Sequence, residues 1–335
     1  MPRILLTHTP DMLANYYGPR ALAGLRALGD VRLNGTGSVL HGDALAQAAE
    51  GCEIVVSDRQ TPGPAAFFPH APALVAFLRC AVDIRNIDVA AASAHGVLVT
   101  HATPGFVASV AEMALGFMVD LARNVTRSAS AYHSGRTPEA TMGRQLQDAT
   151  LGIIGYGVIG QHLARLAVAI GMAVLVVDPY KTVRGPGMTQ VSFADLLARA
   201  DFVVCLAVAN EATENLMDDA AFGHMRPDAY FINLSRGNLV DEAALLRALD
   251  EKRIAGAALD VGRAPDQMPS LALARRHDVI ATPHTAGLTP QAIEHQAFDT
   301  VNQVREIVAG RLPPGAVNVD AAHRFSAFAA HRPGV

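Results

Sequence analysis

Short runs of apolar β-formers alternate with segments of helical period along nearly the whole chain. The runs at 4–7, 53–57, 73–78, 97–100, 151–154, 173–177, 202–207, 230–234, 255–259 and 279–281 predict strands. Between them apolar positions recur at helical spacing, as at 19–28, 241–251 and 290–310. Repeated β-α units of this kind imply an α/β protein, with parallel sheets carrying helices on both faces. No repeat of fixed period and no low-complexity linker interrupts the pattern.

One helical stretch differs from the others. From 106 to 124 it is apolar on nearly every side, with Val107, Val110, Met113, Leu115, Phe117, Met118, Val119 and Leu121. A helix apolar all round is expected to be buried all round. It is either a central core helix or a connecting helix that also meets a second subunit. The second reading is preferred and predicts a homodimer through the 106–124 region.

The stretch Thr150-Leu151-Gly152-Ile153-Ile154-Gly155-Tyr156-Gly157-Val158-Ile159-Gly160 runs apolar β-formers straight into G-x-G-x-x-G. A helical pattern follows from Gln161, and a second strand at 173–177 ends on Asp178. Strand, glycine turn, helix, strand and acid is the order a dinucleotide site requires. Gly155 permits the tight turn, Gly157 lets a pyrophosphate approach the backbone, and Gly160 allows close helix–strand packing. Tyr156, Val158 and Ile159 complete the same cofactor-binding turn, whose helix N-terminus favours phosphate. Asp178 can accept from a ribose 2′-OH and would repel a 2′-phosphate, so the expected cofactor is NAD. Lys181 and Arg184 follow closely and weaken the case against NADP.

Composition narrows the class. At 335 residues, two domains or one large one are expected. Half the residues are apolar and 17% are charged, which excludes a disordered chain. A net charge of −4 implies no general attraction to nucleic acid or anionic membranes. No apolar run reaches the roughly 18 residues of a membrane span, and the start of the chain has too short an apolar run for a signal peptide. Cys52, Cys80 and Cys205 are scattered, with no metal-ligand spacing and no disulfide framework, which fits a reducing cytoplasm.

With the glycine turn, three further motifs carry a resemblance: Phe231-Ile232-Asn233-Leu234-Ser235-Arg236-Gly237-Asn238-Leu239-Val240-Asp241, Ala257-Ala258-Leu259-Asp260-Val261 and Thr282-Pro283-His284-Thr285-Ala286-Gly287. In this order, over nearly the whole length, the chain resembles the D-isomer-specific 2-hydroxyacid dehydrogenases. The resemblance implies two Rossmann-like or flavodoxin-like domains with the active site in the cleft between them. A split substrate domain would take 1–100 and 287–335, and the NAD-binding domain 101–286. It also implies interconversion of a 2-hydroxy acid and a 2-oxoacid by hydride transfer.

The residues suit that chemistry. Reducing a 2-oxoacid needs a hydride donor, a proton for the carbonyl oxygen and a cation for the carboxylate and developing alkoxide. Arg236 follows a predicted strand, at the edge where α/β proteins bind ligands, and a guanidinium can grip carboxylate and carbonyl together. His284 also follows a strand and titrates near neutral pH, so it is the expected acid/base. Asp260 closes another strand; the resemblance assigns it to the nicotinamide carboxamide, with turn capping as the alternative.

The chain departs from the family in three places. The glutamate five residues after the aspartate, which pairs with the catalytic histidine, is replaced by Pro265. Either Asp266 takes over, holding the imidazole with its carboxylate and raising its pKa, or it is a loop carboxylate and His284 works unpaired. The glycine-rich substrate loop matches 81–88 with both glycines lost, as Ala81 and Asp83. Val82, Asp83 and Ile84 would then present the carboxylate-binding amides, with Arg79, Arg85 or Arg59 compensating the aspartate or lying in solvent. Leu206-Ala207-Val208 stands where the family often has His-x-Pro. An NAD(H)-dependent 2-oxoacid reductase is the leading expectation, and a catalytically weak NAD(H) sensor or scaffold is the runner-up. Oxidation of a one-carbon or phosphorus acid has no specific support, and phosphoglycerate oxidation is not favoured.

Overall fold

The computed structural model describes residues 1–330. The described residues divide into two compact units, Met1–Gly105 together with 290–330, and Phe106–Thr289. The crossovers fall a few residues later than the sequence motifs suggest.

The first unit holds five parallel strands, β1 (Arg3–Leu6), β2 (Asp30–Leu33), β3 (Ile54–Ser57), β4 (Ala76–Arg79) and β5 (Leu98–His101), in the order β2-β1-β3-β4-β5. Their side chains alternate between two cores. Ile4, Leu6, Ile54, Val56, Leu78 and Leu98 face one, and Leu5, Val55, Phe77 and Val99 face the other. The first face is covered partly by the returning helix Pro290–Val308, through Ala297, Val301, Val304 and Ile307. The strand order reverses between β1 and β3, so their C-terminal ends flank the crevice where open α/β sheets take ligands.

The second unit is a seven-stranded parallel sheet. Its strands are β6 (Thr150–Ile154), β7 (Ala173–Val177), β8 (Met188–Gln190), β9 (Phe202–Cys205), β10 (Tyr230–Asn233), β11 (Gly256–Leu259) and β12 (Val279–Ala281). Their order is β12-β11-β10-β9-β6-β7-β8, with the reversal between β6 and β9. This is the doubly wound arrangement of a dinucleotide-binding sheet. Because every strand is parallel, the motif residues that follow β6, β7, β10, β11 and β12 all emerge at one edge.

The helix Val107–Arg123 is not buried all round, contrary to its sequence pattern. Val110, Ala111, Ala114, Phe117, Met118, Leu121 and Ala122 pack into the second unit. The opposite side, with Glu112, Leu115, Gly116, Val119, Asp120 and the following Val125, lines an open, mainly apolar groove of about 500 Å³. Among the described residues, no helix is long and apolar enough to cross a membrane.

Candidate active site

The glycine turn is built as its spacing requires. Gly155 takes φ +98°, which disfavours a side chain, and a Cβ there would strike the backbone of Leu206 and Ala207. A Cβ on Gly160 would collide with the Gly155 carbonyl oxygen. A Cβ on Gly157 would meet nothing within 4 Å. Gly157 therefore leaves a space open at the start of the helix Val158–Ala169, where a pyrophosphate would meet free N–H groups. At the same sheet edge Val158, Tyr180 and Val208 stand 54%, 89% and 77% exposed. Apolar surface of this kind suits a nucleotide. Tyr180 and Val208 carry no motif, and only their place after β7 and β9 marks them.

Asp178, the residue expected to face a ribose, is bonded within the protein. Its carboxylate accepts from the N–H groups of Tyr156 (2.7 Å), Tyr180 (2.8 Å) and Lys181 (2.9 Å), joining the glycine turn to the loop after β7. Among the described residues no polar contact occupies the side chains of Lys181 and Arg184, both exposed on that loop.

Arg236, Asp260 and His284 follow β10, β11 and β12, three adjacent strands. Asn233, wholly buried, accepts from the Ser235 N–H and donates to the Arg236 carbonyl, fixing the turn that presents Arg236. Ser235 anchors the same turn by donating to the Ala207 carbonyl at 2.6 Å. Arg236 is half-buried and donates from Nη1 to the Ser235 carbonyl.

Asp260 clasps the loop that follows β12. It is 1% exposed, and its carboxylate accepts from Thr282 Oγ1 (2.6 Å), the Thr285 N–H (2.8 Å) and the Ala286 N–H (2.9 Å). Its carbonyl accepts from the His284 N–H at 2.9 Å. Asp260 thus holds both sides of the residue expected to move the proton, with the hydrogen bonds of a turn cap. His284 itself takes φ +55°, a left-handed conformation uncommon outside glycine that this clasp sustains.

The partner of His284 also differs from expectation. Nδ1 lies 3.0 Å from the main-chain carbonyl of Asp266, not from its carboxylate. Asp266 and Gln267 are both left-handed, at φ +58° and +57°, and this tight turn aims the carbonyl at the ring while the Asp266 side chain lies at an exposed position. A carbonyl only accepts, so Nδ1 carries the proton and Nε2 is left as the ring nitrogen for chemistry.

In the first unit, the Asp83 carboxylate is turned onto Arg85, which forks to both of its oxygens at 2.6–3.0 Å. Arg79 is buried and bonded to carbonyls. Arg59, after β3, is exposed and has no side-chain partner among the described residues. Val82 and Ile84 are half-buried on either side of Asp83. Among the described residues no cluster suits a metal ion, and all three cysteines are free and buried.

The family model for the NAD binding domain of D-isomer specific 2-hydroxyacid dehydrogenases matches residues 115–286. The chain belongs to this family. A D-3-phosphoglycerate dehydrogenase of Synechocystis is 35% identical over 72% of the chain and 44% of its own length. An (S)-sulfolactate dehydrogenase of Chromohalobacter salexigens is 36% identical over 72% of the chain and 79% of its own length. The chain thus spans about half the length of the phosphoglycerate dehydrogenases it matches. A solved D-2-hydroxyisocaproate dehydrogenase shares the fold, with a TM-score of 0.84 at 22% identity over 95% of this chain and all of that one. As in the family, residues 115–286 form an NAD-binding domain.

Proposed function

We propose that this family member is an NAD(H)-dependent oxidoreductase interconverting a D-2-hydroxy acid and its 2-oxoacid. The observation that carries the reading is the His284–Asp266 contact, in which Nδ1–H donates to a carbonyl and Nε2 is left for the substrate. NADH, when bound, supplies the hydride that reduces the carbonyl carbon. As the imidazolium, His284 gives its Nε2 proton to the carbonyl oxygen while Nδ1–H stays on the Asp266 carbonyl, and in the reverse direction the neutral ring takes that proton back at Nε2. Arg236 holds the carboxylate and stabilises charge developing on that oxygen. Val82, Asp83 and Ile84 offer main-chain N–H groups to the acid. Gly155, Tyr156, Gly157, Val158, Ile159, Gly160 and Asp178 bind the cofactor, while Asp260 serves through the loop it clasps.

The substrate class follows from Arg59. An exposed, unpaired guanidinium after β3, beside the strand-order reversal of the first sheet, suits a second anionic group at the far end of the acid. The named relatives act on a phosphorylated and a sulfonated acid, in keeping with that choice. The apolar groove along Val107–Arg123 supports a homodimer, and three free thiols suit a reducing cytoplasm.

The test is NADH oxidation against glyoxylate, pyruvate, hydroxypyruvate, its phosphate, a sulfonated analogue, and branched and aromatic 2-oxoacids. Turnover that is lost in His284→Ala and Arg236→Ala is the expected result, highest with the doubly anionic acids. Tight NADH binding without turnover of any acid would favour a sensor instead.

A further inference from the structure

Arg79 is the last residue of β4, and it is 5% exposed. Among the described residues its guanidinium donates only to main-chain carbonyls. Nη1 donates to Asp58 (2.5 Å) and, at 3.4 Å, to Thr61; Nη2 donates to Arg59 (2.5 Å); Nε donates to Asp83 (3.1 Å). Two loops therefore meet on one side chain, the 58–61 loop after β3 and the 81–84 loop after β4. The first carries Arg59, and the second carries the amides assigned to the acid.

No carboxylate among the described residues lies within ion-pairing distance of Arg79. Asp58 is near, but its carboxylate is taken by the hydroxyls of Thr7 and Thr61 and by the N–H groups of Gln60 and Thr61. The Asp83 carboxylate is taken up by Arg85. Burial pulls the Arg79 guanidinium down from its usual range, opposed by the charges of Asp58 and Asp83 and helped by Arg59. Burying an unpaired cation is costly, and an apolar residue would pack this position more favourably if packing were the whole requirement. What the cation supplies is a planar fork that reaches several carbonyls at once, with a positive charge behind both loops.

The geometry points to Arg79 as a positioning residue for substrate. It clamps the 58–61 and 81–84 loops in one register, so that the far-end cation and the carboxylate-binding amides are set by a single guanidinium. This rests on the assignment of those two loops to the acid, made above.

Arg79→Lys keeps a charge but loses the fork, and Arg79→Met loses both. Each is compared with the wild type by kinetics on its best 2-oxoacid, by NADH fluorescence titration, and by amide hydrogen exchange. The expected result for Arg79→Lys is a KM raised about tenfold or more, with kcat within about threefold and NADH affinity unchanged. Exchange should quicken in peptides covering 58–63 and 80–86 and stay as in wild type in β1 and β3. A KM within about twofold of wild type overturns the proposal. So does unchanged exchange in the two loops, or exchange that rises equally through every strand of the first sheet, the mark of a merely structural role. If the wild type reduces no 2-oxoacid, the functional reading fails, and the exchange pattern alone decides whether the clamp exists. If Arg79→Met does not fold, Arg79→Lys carries the test.

Discussion

The His284 ring donates from Nδ1 to the main-chain carbonyl of Asp266, 3.0 Å away, across a turn in which Asp266 and Gln267 are both left-handed. A backbone carbonyl stands where the family uses an acid side chain. The acceptor is thus fixed by loop conformation and not by the chemistry of residue 266. Asp266→Asn keeps the carbonyl and tolerates the left-handed backbone. Its kcat/KM should stay within about threefold of wild type, roughly 0.6 kcal/mol. A loss beyond about tenfold would show that the carboxylate takes part.

Asp260 offers a sharper effect. Its amide replacement keeps one acceptor oxygen and sets an NH2 group either against the Ala286 N–H or against the Thr282 and Thr285 donors, in a buried site. Leaving such groups unsatisfied costs about 1–3 kcal/mol. The apparent Tm of Asp260→Asn should fall by about 4–8 °C, and kcat should fall with it as His284 loses its clasp. A variant with normal Tm and kcat but weakened NADH binding would return Asp260 to the cofactor.

The two turn glycines separate stability from cofactor affinity. Gly157→Ala adds a methyl to open space, so its Tm should stay within about 2 °C of wild type, while NADH binding weakens about tenfold or more as the methyl meets the pyrophosphate. Gly160→Ala collides with the Gly155 carbonyl and should lower both. Thermal melts with and without NADH distinguish the pair; equal Tm losses in the two variants would refute this reading of Gly157.

His8 sets an acid limit on the first unit. It is 3% exposed after β1, its ring packs 4.9 Å from that of Tyr17, and Nδ1 has no hydrogen-bond partner among the described residues. Burial lowers its pKa from 6.5 to about 4, opposed by the nearby Asp58 charge and reinforced by Arg79. Between those values the unfolded chain binds the proton and the folded chain does not. Stability is therefore full above pH 6.5 and is lost as pH falls toward 4. The loss is about 3 kcal/mol. His8→Gln should flatten the dependence of urea unfolding of the first unit across this window, and an equally steep dependence in the variant would assign it to other groups.

Much of this architecture is legible in the sequence, because strands covered on both faces must be apolar throughout and glycine turns leave fixed spacings. Ten of the twelve strands coincide with apolar runs. The two without one, Asp30–Leu33 and Met188–Gln190, lie at sheet edges, where one side lacks a partner and polar residues are tolerated. Arg236 and His284 stand out because strand ends and motifs coincide. The acceptor for His284 does not, because a carbonyl belongs to every residue and only the backbone angles say which one points at the ring. Arg79 is hidden for a related reason: its partners are main-chain oxygens of residues 58, 59, 61 and 83, which no side-chain pattern reveals.

The return of the chain to the first unit has a consequence for biosynthesis. Ile4, Leu6, Ile54, Val56, Leu78 and Leu98 pack in one core with Ala297, Val301, Val304 and Ile307, residues from the far end of the polypeptide. On the ribosome the five-stranded sheet is made first, yet part of this apolar face stays wet until the Pro290–Val308 segment has emerged. The NAD-binding unit, contiguous from Phe106 to Thr289, has all its own residues before then. The later-made unit can mature first, and in the interval the nascent chain carries an apolar surface of the kind that chaperones shield.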